Sequence, residues 1–315
     1  KTYSIESGTA LLVQTRQLTT DSNVGKRAED TGVLISEFVV GSVDSERGLR
    51  ALSKVNWLHR RYGSKVGNEE MIHTLAMFVL EPHRWIEENE WRPMTELEKV
   101  ATFVYWKEIG NRMGIIGIPE TLEKLMAWVE SFEQVHMIYT ENNRICAETT
   151  MNMYLRNIPW FLREFVRDAA NSLLEPRVRL ALGSPKPSWT AQKFASSILL
   201  GRRWIVGNLL LPRLYNKDVL AKPRSDGRLQ RESFAFEPWY VKSSVLGRLG
   251  AWLWSGGRLN VGPKYKSDGY LPEELGPVEY EKSSKESVLK QAEAMKKYAQ
   301  SGGAAVMGCP FSLKG

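Results

Sequence analysis

Arg27 and Thr31, four apart in "KRAEDTGVLISEF", and His59, in "VNWLHRRYGS", have types and spacing that could do chemistry together. Apolar positions in the first stretch recur at three and four, so Arg27, Thr31, Leu34, Ile35 and Phe38 share one helical face. A guanidinium on that face needs a counter-charge, because an unpaired buried cation is very costly. The partner is either a protein carboxylate, with Glu37 and Glu81 as candidates, or an anionic group from outside the chain, with the Thr31 hydroxyl available to bound oxygen or water. His59 lies one turn beyond Val55 and Asn56 and two beyond Leu52, so its imidazole extends an apolar stripe. Such a histidine is more commonly a core residue hydrogen-bonded to a neighbour than a ligand. His136 extends a similar stripe through Leu122, Leu125, Val129 and Phe132, and periodicity does not separate the two. His73 points with Met77 and Leu80, and His83 follows Pro82 in an expected loop.

The four histidines give no helical ligand pair, so a multi-histidine metal site would need most of them to converge. One metal cofactor asks for a single histidine: haem, whose porphyrin supplies four nitrogens and leaves one axial position to the protein. Other signatures are missing. There is no GxSxG elbow, no GxGxxG between strand and helix, no Walker loop and no HExxH. Cys146 and Cys309 form no CxxC pair, which argues against a disulfide framework or a zinc knuckle. Cys309-Pro310 has the form of a haem-binding dipeptide, but two-residue motifs recur by chance. In "LEPHRWIEENEWRP" a buried ion pair and a packed tryptophan explain Glu81, Arg84 and Trp91 better than a pocket does.

The elements that must position these residues read as consecutive helices. Asp44 or Ser45 can cap the helix carrying His59, which should end near Gly63, and Asn68 should cap the next. Thr95 and Glu98 stand at capping-box spacing before a helix expected to stop at Gly110. Two more helices follow, within "PETLEKLMAWVESFEQVHMIY" and "ENNRICAETTMNMYLRN". Beyond about residue 183, Pro185, Pro187, Pro212, Pro223 and Pro238 should break the chain into short helices and loops. The tail "SSKESVLKQAEAMKKYAQ" reads as an amphipathic surface helix.

A net charge of +7 over 315 residues favours an anionic partner. Between Lys186 and Lys264 about fourteen Lys/Arg face about four Asp/Glu, interleaved with tryptophans. No nucleic-acid recognition module is present, so contact with an anionic membrane surface is the better reading of that stretch. No apolar run approaches the roughly 18 to 20 residues of a bilayer span.

"KRAEDTGVLISEF", the stretch from "VNWLHRRYGS" to "GNRMGI", and the later "FEPWY" and "GCPF" resemble the MpaB and rubber-oxygenase (latex clearing protein) family, in its fungal endoplasmic-reticulum-bound branch. The resemblance runs over most of the chain and is densest between Lys26 and Ile115. It implies an all-α fold with a globin-like helical core, and one haem-binding oxygenase domain over residues 1–315. That domain would comprise a regular helical core over 1–182 and a loop-rich, basic and aromatic cap and tail over 183–315. It also implies a haem b with His59 as the iron's protein ligand, and Arg27 and Thr31 as pocket residues with catalytic roles. Asn56 or the Val55 carbonyl would take the other ring N–H of His59. The implied reaction is dioxygen-dependent cleavage of a double bond in an apolar isoprenoid or prenyl substrate, at the endoplasmic reticulum membrane. Asp30 is a departure, since the rubber-cleaving members have lysine there, so their distal-side chemistry does not transfer and rubber is not the expected substrate. A non-catalytic haem- or lipid-binding membrane-associated protein of the same fold is the alternative, and loss of haem with Arg27 paired to a carboxylate is a third.

Overall fold

The computed structural model describes residues 1–212, 214 and 220–301. Among these the fold is all-α. The first seven helices are α1 (Glu6–Thr15), α2 (Asp21–Val39), α3 (Glu46–Arg60), α4 (Asn68–Asn89), α5 (Glu96–Met113), α6 (Leu122–His136) and α7 (Glu141–Leu155). There follow α8 (Arg163–Asn171), α9 (Pro176–Ala181), α10 (Trp189–Asn208), α11 (Val245–Trp254) and α12 (Lys285–Gln300). A two-stranded antiparallel ribbon, β1 (Lys222–Pro223) with β2 (Leu229–Gln230), pairs Lys222 with Gln230 and Pro223 with Leu229.

Local signals set most boundaries. Ser45 caps α3 by accepting the Gly48 N–H at 3.0 Å. Thr95 and Glu98 close the expected capping box on α5, which runs past Gly110 to Met113 and stops at Gly114 with φ +78°. Asn68 does not cap α4: it is that helix's first residue, and its side chain bonds both the carbonyl and the N–H of Ile116 instead. His83 is helical rather than in a loop, because α4 continues through Pro82.

α2 packs against α3 and α7, and α3 packs against α12 on its other side. The tail helix is amphipathic as expected, and its buried face, with Val288, Ala292 and Met295, joins the core. The largest buried cluster joins Phe38, Leu52, Leu75 and Ile109 to Tyr270 and Met295, so apolar residues from both ends of the chain share it. Beyond residue 183 the expected short helices are interrupted by α10, twenty residues between Pro187 and Pro212. The prolines bound that helix without entering it.

The basic stretch is not one free face. Arg231 pairs with Glu29, Arg228 with Glu274, Arg202 with Glu90 and Lys222 with Glu232. Much of its charge thus meets the protein's own carboxylates.

Candidate functional site

Arg27 and Thr31 occupy successive turns of α2, both half-buried. An Arg27 N–H donates to the Thr31 Oγ1, and Thr31 donates its own proton to the Arg27 carbonyl at 2.7 Å. The hydroxyl proton is thus engaged by the helix, and the residue braces the guanidinium. Neither carboxylate expected for Arg27 is free. Glu37 takes two N–H groups of Arg47 at 2.7 Å each and the Tyr270 hydroxyl at 2.6 Å. Glu81 pairs with Arg84 at 2.8 Å and Lys1 at 3.2 Å. Among the described residues no carboxylate is paired with Arg27.

His59 lies in the last turn of α3, a helix packed against α2. Burial pushes its pKa down to about 4, and the Arg27 guanidinium pushes in the same direction. The imidazole is therefore neutral at ordinary pH. Its Nδ1 is buried without a partner, and neither ring nitrogen hydrogen-bonds to a described residue. The expected acceptors are not used. Asn56 turns its amide N–H to the Arg112 carbonyl at 2.9 Å, tying α3 to the end of α5, and its Oδ1 is itself buried and unpaired. The other histidines have different surroundings. His73 is a satisfied core residue, Nε2 to Glu133 at 3.1 Å, and His136 is exposed and stacked on Phe132 with centroids 4.4 Å apart. His83 has a buried Nε2 without a partner, but the charge acting most on it is that of Lys99.

Two residues missed in the sequence lie within electrostatic reach of Arg27. The Arg27 charge acts on the phenols of Tyr3 and Tyr62, opposing the burial that raises the pKa of each. Periodicity could not place Tyr3 there, since it lies outside any long helix.

A second face of α2 was also missed. Lys26, Glu29, Asp30 and Glu37 are all buried. One Glu29 oxygen accepts the backbone N–H groups of Ala235, Phe236 and Glu237 at 2.9, 2.6 and 3.1 Å, and the other meets Arg231. Asp30 takes the Lys26 ammonium at 2.6 Å, the Tyr240 hydroxyl at 2.6 Å and the Gly276 N–H at 3.0 Å. The "FEPWY" segment is thereby docked on the "KRAEDT" segment. Gly25 permits the approach, because a Cβ there would lie 2.1 Å from the Glu237 carboxyl carbon. Asp30 is fully engaged by this network. Arg84 and Glu81 form an ion pair, but it is half-exposed rather than buried, and Trp91 is exposed rather than packed; Cys309 and the "GCPF" motif lie outside the described residues.

No three His, Cys, Asp or Glu side chains among the described residues converge as metal ligands, and no described helix is long and apolar enough to cross a membrane. What α2 and α3 carry is one neutral histidine and one guanidinium, neither with a carboxylate partner among the described residues. The chain they belong to is an all-α protein. Residues 6–205 match the family described as ER-bound oxygenase mpaB/B'/Rubber oxygenase, catalytic domain. The chain is 28% identical over 321 residues to a Penicillium brevicompactum protein named ER-bound oxygenase mpaB', covering 94% of this chain and 75% of that one. It is 27% identical over 271 residues to ER-bound oxygenase mpaB of the same species, covering 81% and 63%. To ER-bound oxygenase mpaB of Penicillium roqueforti (strain FM164) it is 28% identical over 196 residues, covering 58% and 66%. The chain belongs to this family of oxygenase catalytic domains, and its enzyme class is oxygenase.

Proposed function

We propose that this oxygenase works with a haem b whose iron takes His59 as protein ligand, and that it cleaves a carbon–carbon double bond of an apolar isoprenoid chain with dioxygen. The observation that carries the reading is His59 itself, neutral, desolvated and hydrogen-bonded to nothing described, beside a guanidinium without a carboxylate. These residues fit the group. A ring already neutral at pH 7 has a lone pair to give without first losing a proton. Arg27 supplies the positive charge that a propionate would meet, and Thr31 keeps the guanidinium pointed by accepting from it. Asn56 holds the His59 helix against α5. Bound there, a haem iron supplies the activation of dioxygen. Both oxygen atoms of one dioxygen suffice to turn the two alkene carbons into carbonyls, so the overall cleavage balances without an external reductant. The names of the relatives place them at the endoplasmic reticulum, and we assign this chain to the same membrane, where an isoprenoid chain partitions.

The test is spectroscopic. The protein loaded with haemin should show a Soret band. His59→Ala should lose most of it while the far-ultraviolet circular dichroism stays helical, and His73→Ala and His136→Ala should keep it. Full occupancy in His59→Ala would sink the assignment.

A further inference from the structure

Two helices of this protein wear their apolar residues on the outside. On α11, Val245, Leu246, Leu249, Trp252 and Leu253 lie along one face and all are exposed, Leu246 at 81%, while the buried position is Ala251. That is the reverse of a surface helix packed on a core. On α10 only Ala191 and Ala195 of twenty residues are buried. Trp189, Phe194, Ile198, Leu200, Trp204 and Ile205 all face outward. Just before α8, Trp160 and Phe161 are also bare, Trp160 at 80%.

These elements are tied together. The Phe165 ring of α8 meets Phe194 of α10 with centroids 5.0 Å apart. The Arg156 carbonyl accepts from Arg163 at the start of α8 and from Arg258 just beyond α11. Summed over these exposed side chains, the apolar surface is on the order of 1,000 Å², against the few hundred of the largest patch on a typical soluble monomer. The charged residues of α10 and α11 are Lys193, Arg202, Arg203 and Arg248, with no Asp or Glu among them. Arg202 is anchored to Glu90 and Arg203 to the Glu88 carbonyl. Lys193 contacts the Trp189 ring, and no described carboxylate pairs with it or with Arg248.

We propose that α10, α11 and the Trp160–Phe161 corner form a monotopic membrane face that sits in the headgroup and acyl boundary of an anionic phospholipid leaflet. The charge decides for lipid over a second copy, since two such faces pressed together would bring lysine and arginine against their own kind, whereas an anionic leaflet neutralises them. Because half of the cations are held by α4, apolar insertion carries most of the attachment and salt should release only part of it. The inference rests on the membrane location proposed above but not on the haem or the reaction.

The experiment is co-sedimentation of the full chain with phosphatidylcholine vesicles, with and without phosphatidylserine, at low and high salt. The chain should bind the phosphatidylserine vesicles and stay mostly bound at high salt. Leu246→Glu with Leu253→Glu should cut partitioning by more than about tenfold, and Leu200→Glu with Trp204→Glu should do the same from α10. Leu97→Glu, at an equally bare leucine of α5 (79% exposed), should leave binding intact. Failure of the unaltered chain to bind, or binding by both double variants equal to that of the unaltered chain, would overturn the proposal, as would a lipid-free dimer that those variants dissociate. Binding needs no turnover, so a Soret band without vesicle binding refutes the docking face alone, and vesicle binding without a Soret band refutes the haem reading alone.

Discussion

Asp30→Asn tests whether the residue that departs from the rubber-cleaving pattern belongs to the architecture or to the pocket. The carboxylate accepts from the Lys26 ammonium, the Tyr240 hydroxyl and the Gly276 N–H, and contacts neither Arg27 nor His59 through any hydrogen bond. In the asparagine variant one oxygen can keep Tyr240. The new amide N–H groups then confront the Lys26 ammonium and the Gly276 N–H, donor against donor. Breaking a buried ion pair costs about 3–5 kcal/mol. The lower end applies here, because Lys26 retains the Gly276 carbonyl at 2.5 Å and Glu281 at 3.6 Å. With about 2.1 cal/mol/K of unfolding entropy per residue, 315 residues convert about 3 kcal/mol into a fall in Tm of about 5 °C. Far-ultraviolet circular dichroism on heating measures it, and the haem-loaded absorption spectrum should stay where it was. A Tm shift below about 1 °C together with a displaced Soret band would refute the reasoning and put Asp30 in the pocket.

Arg27→Leu should weaken haem retention by about ten- to a hundredfold, the worth of one charge-assisted hydrogen bond, measured by transfer to apomyoglobin. Thr31→Val keeps the shape and deletes the brace on Arg27, so retention should fall by less than in Arg27→Leu; unchanged retention with reduced oxygen uptake would assign the hydroxyl to dioxygen instead. Lys54 on α3 is buried against Ser284 and the Tyr280 carbonyl, and burial lowers its pKa from 10.5 to about 8. The unfolded chain therefore holds this proton more tightly, and folding stability contributed by Lys54 rises as pH climbs from about 8 towards 10.5. Relative to Lys54→Met, the unaltered protein should gain about 2 kcal/mol between pH 8 and pH 10 in urea titrations, and a gap independent of pH would refute the depressed pKa.

The helices were legible because their signals are short-range. A capping serine or threonine acts over three residues, as Ser45 and Thr95 do, and the three-and-four spacing put Arg27 in line with Thr31 and put His59 on an apolar stripe. The same local logic failed where a partner comes from afar. Asn68 has cap chemistry, yet its side chain is taken by Ile116. The basic excess between Lys186 and Lys264 suggested a charged membrane face, yet Arg231 and Arg228 close on Glu29 and Glu274.

By itself the sequence determined which residues share a helical face, since rise and period are properties of a few consecutive peptide units. Only the tertiary structure decided which of those faces is covered. Glu29, Asp30 and Glu37 look like solvated charges until Arg231, Tyr240 and Tyr270 arrive from more than two hundred residues away. His136 and His59 look alike until one is left exposed and the other is half-buried within reach of the Arg27 charge. Burial depends on partners that no local period can encode, so it is packing that gives each candidate its surroundings.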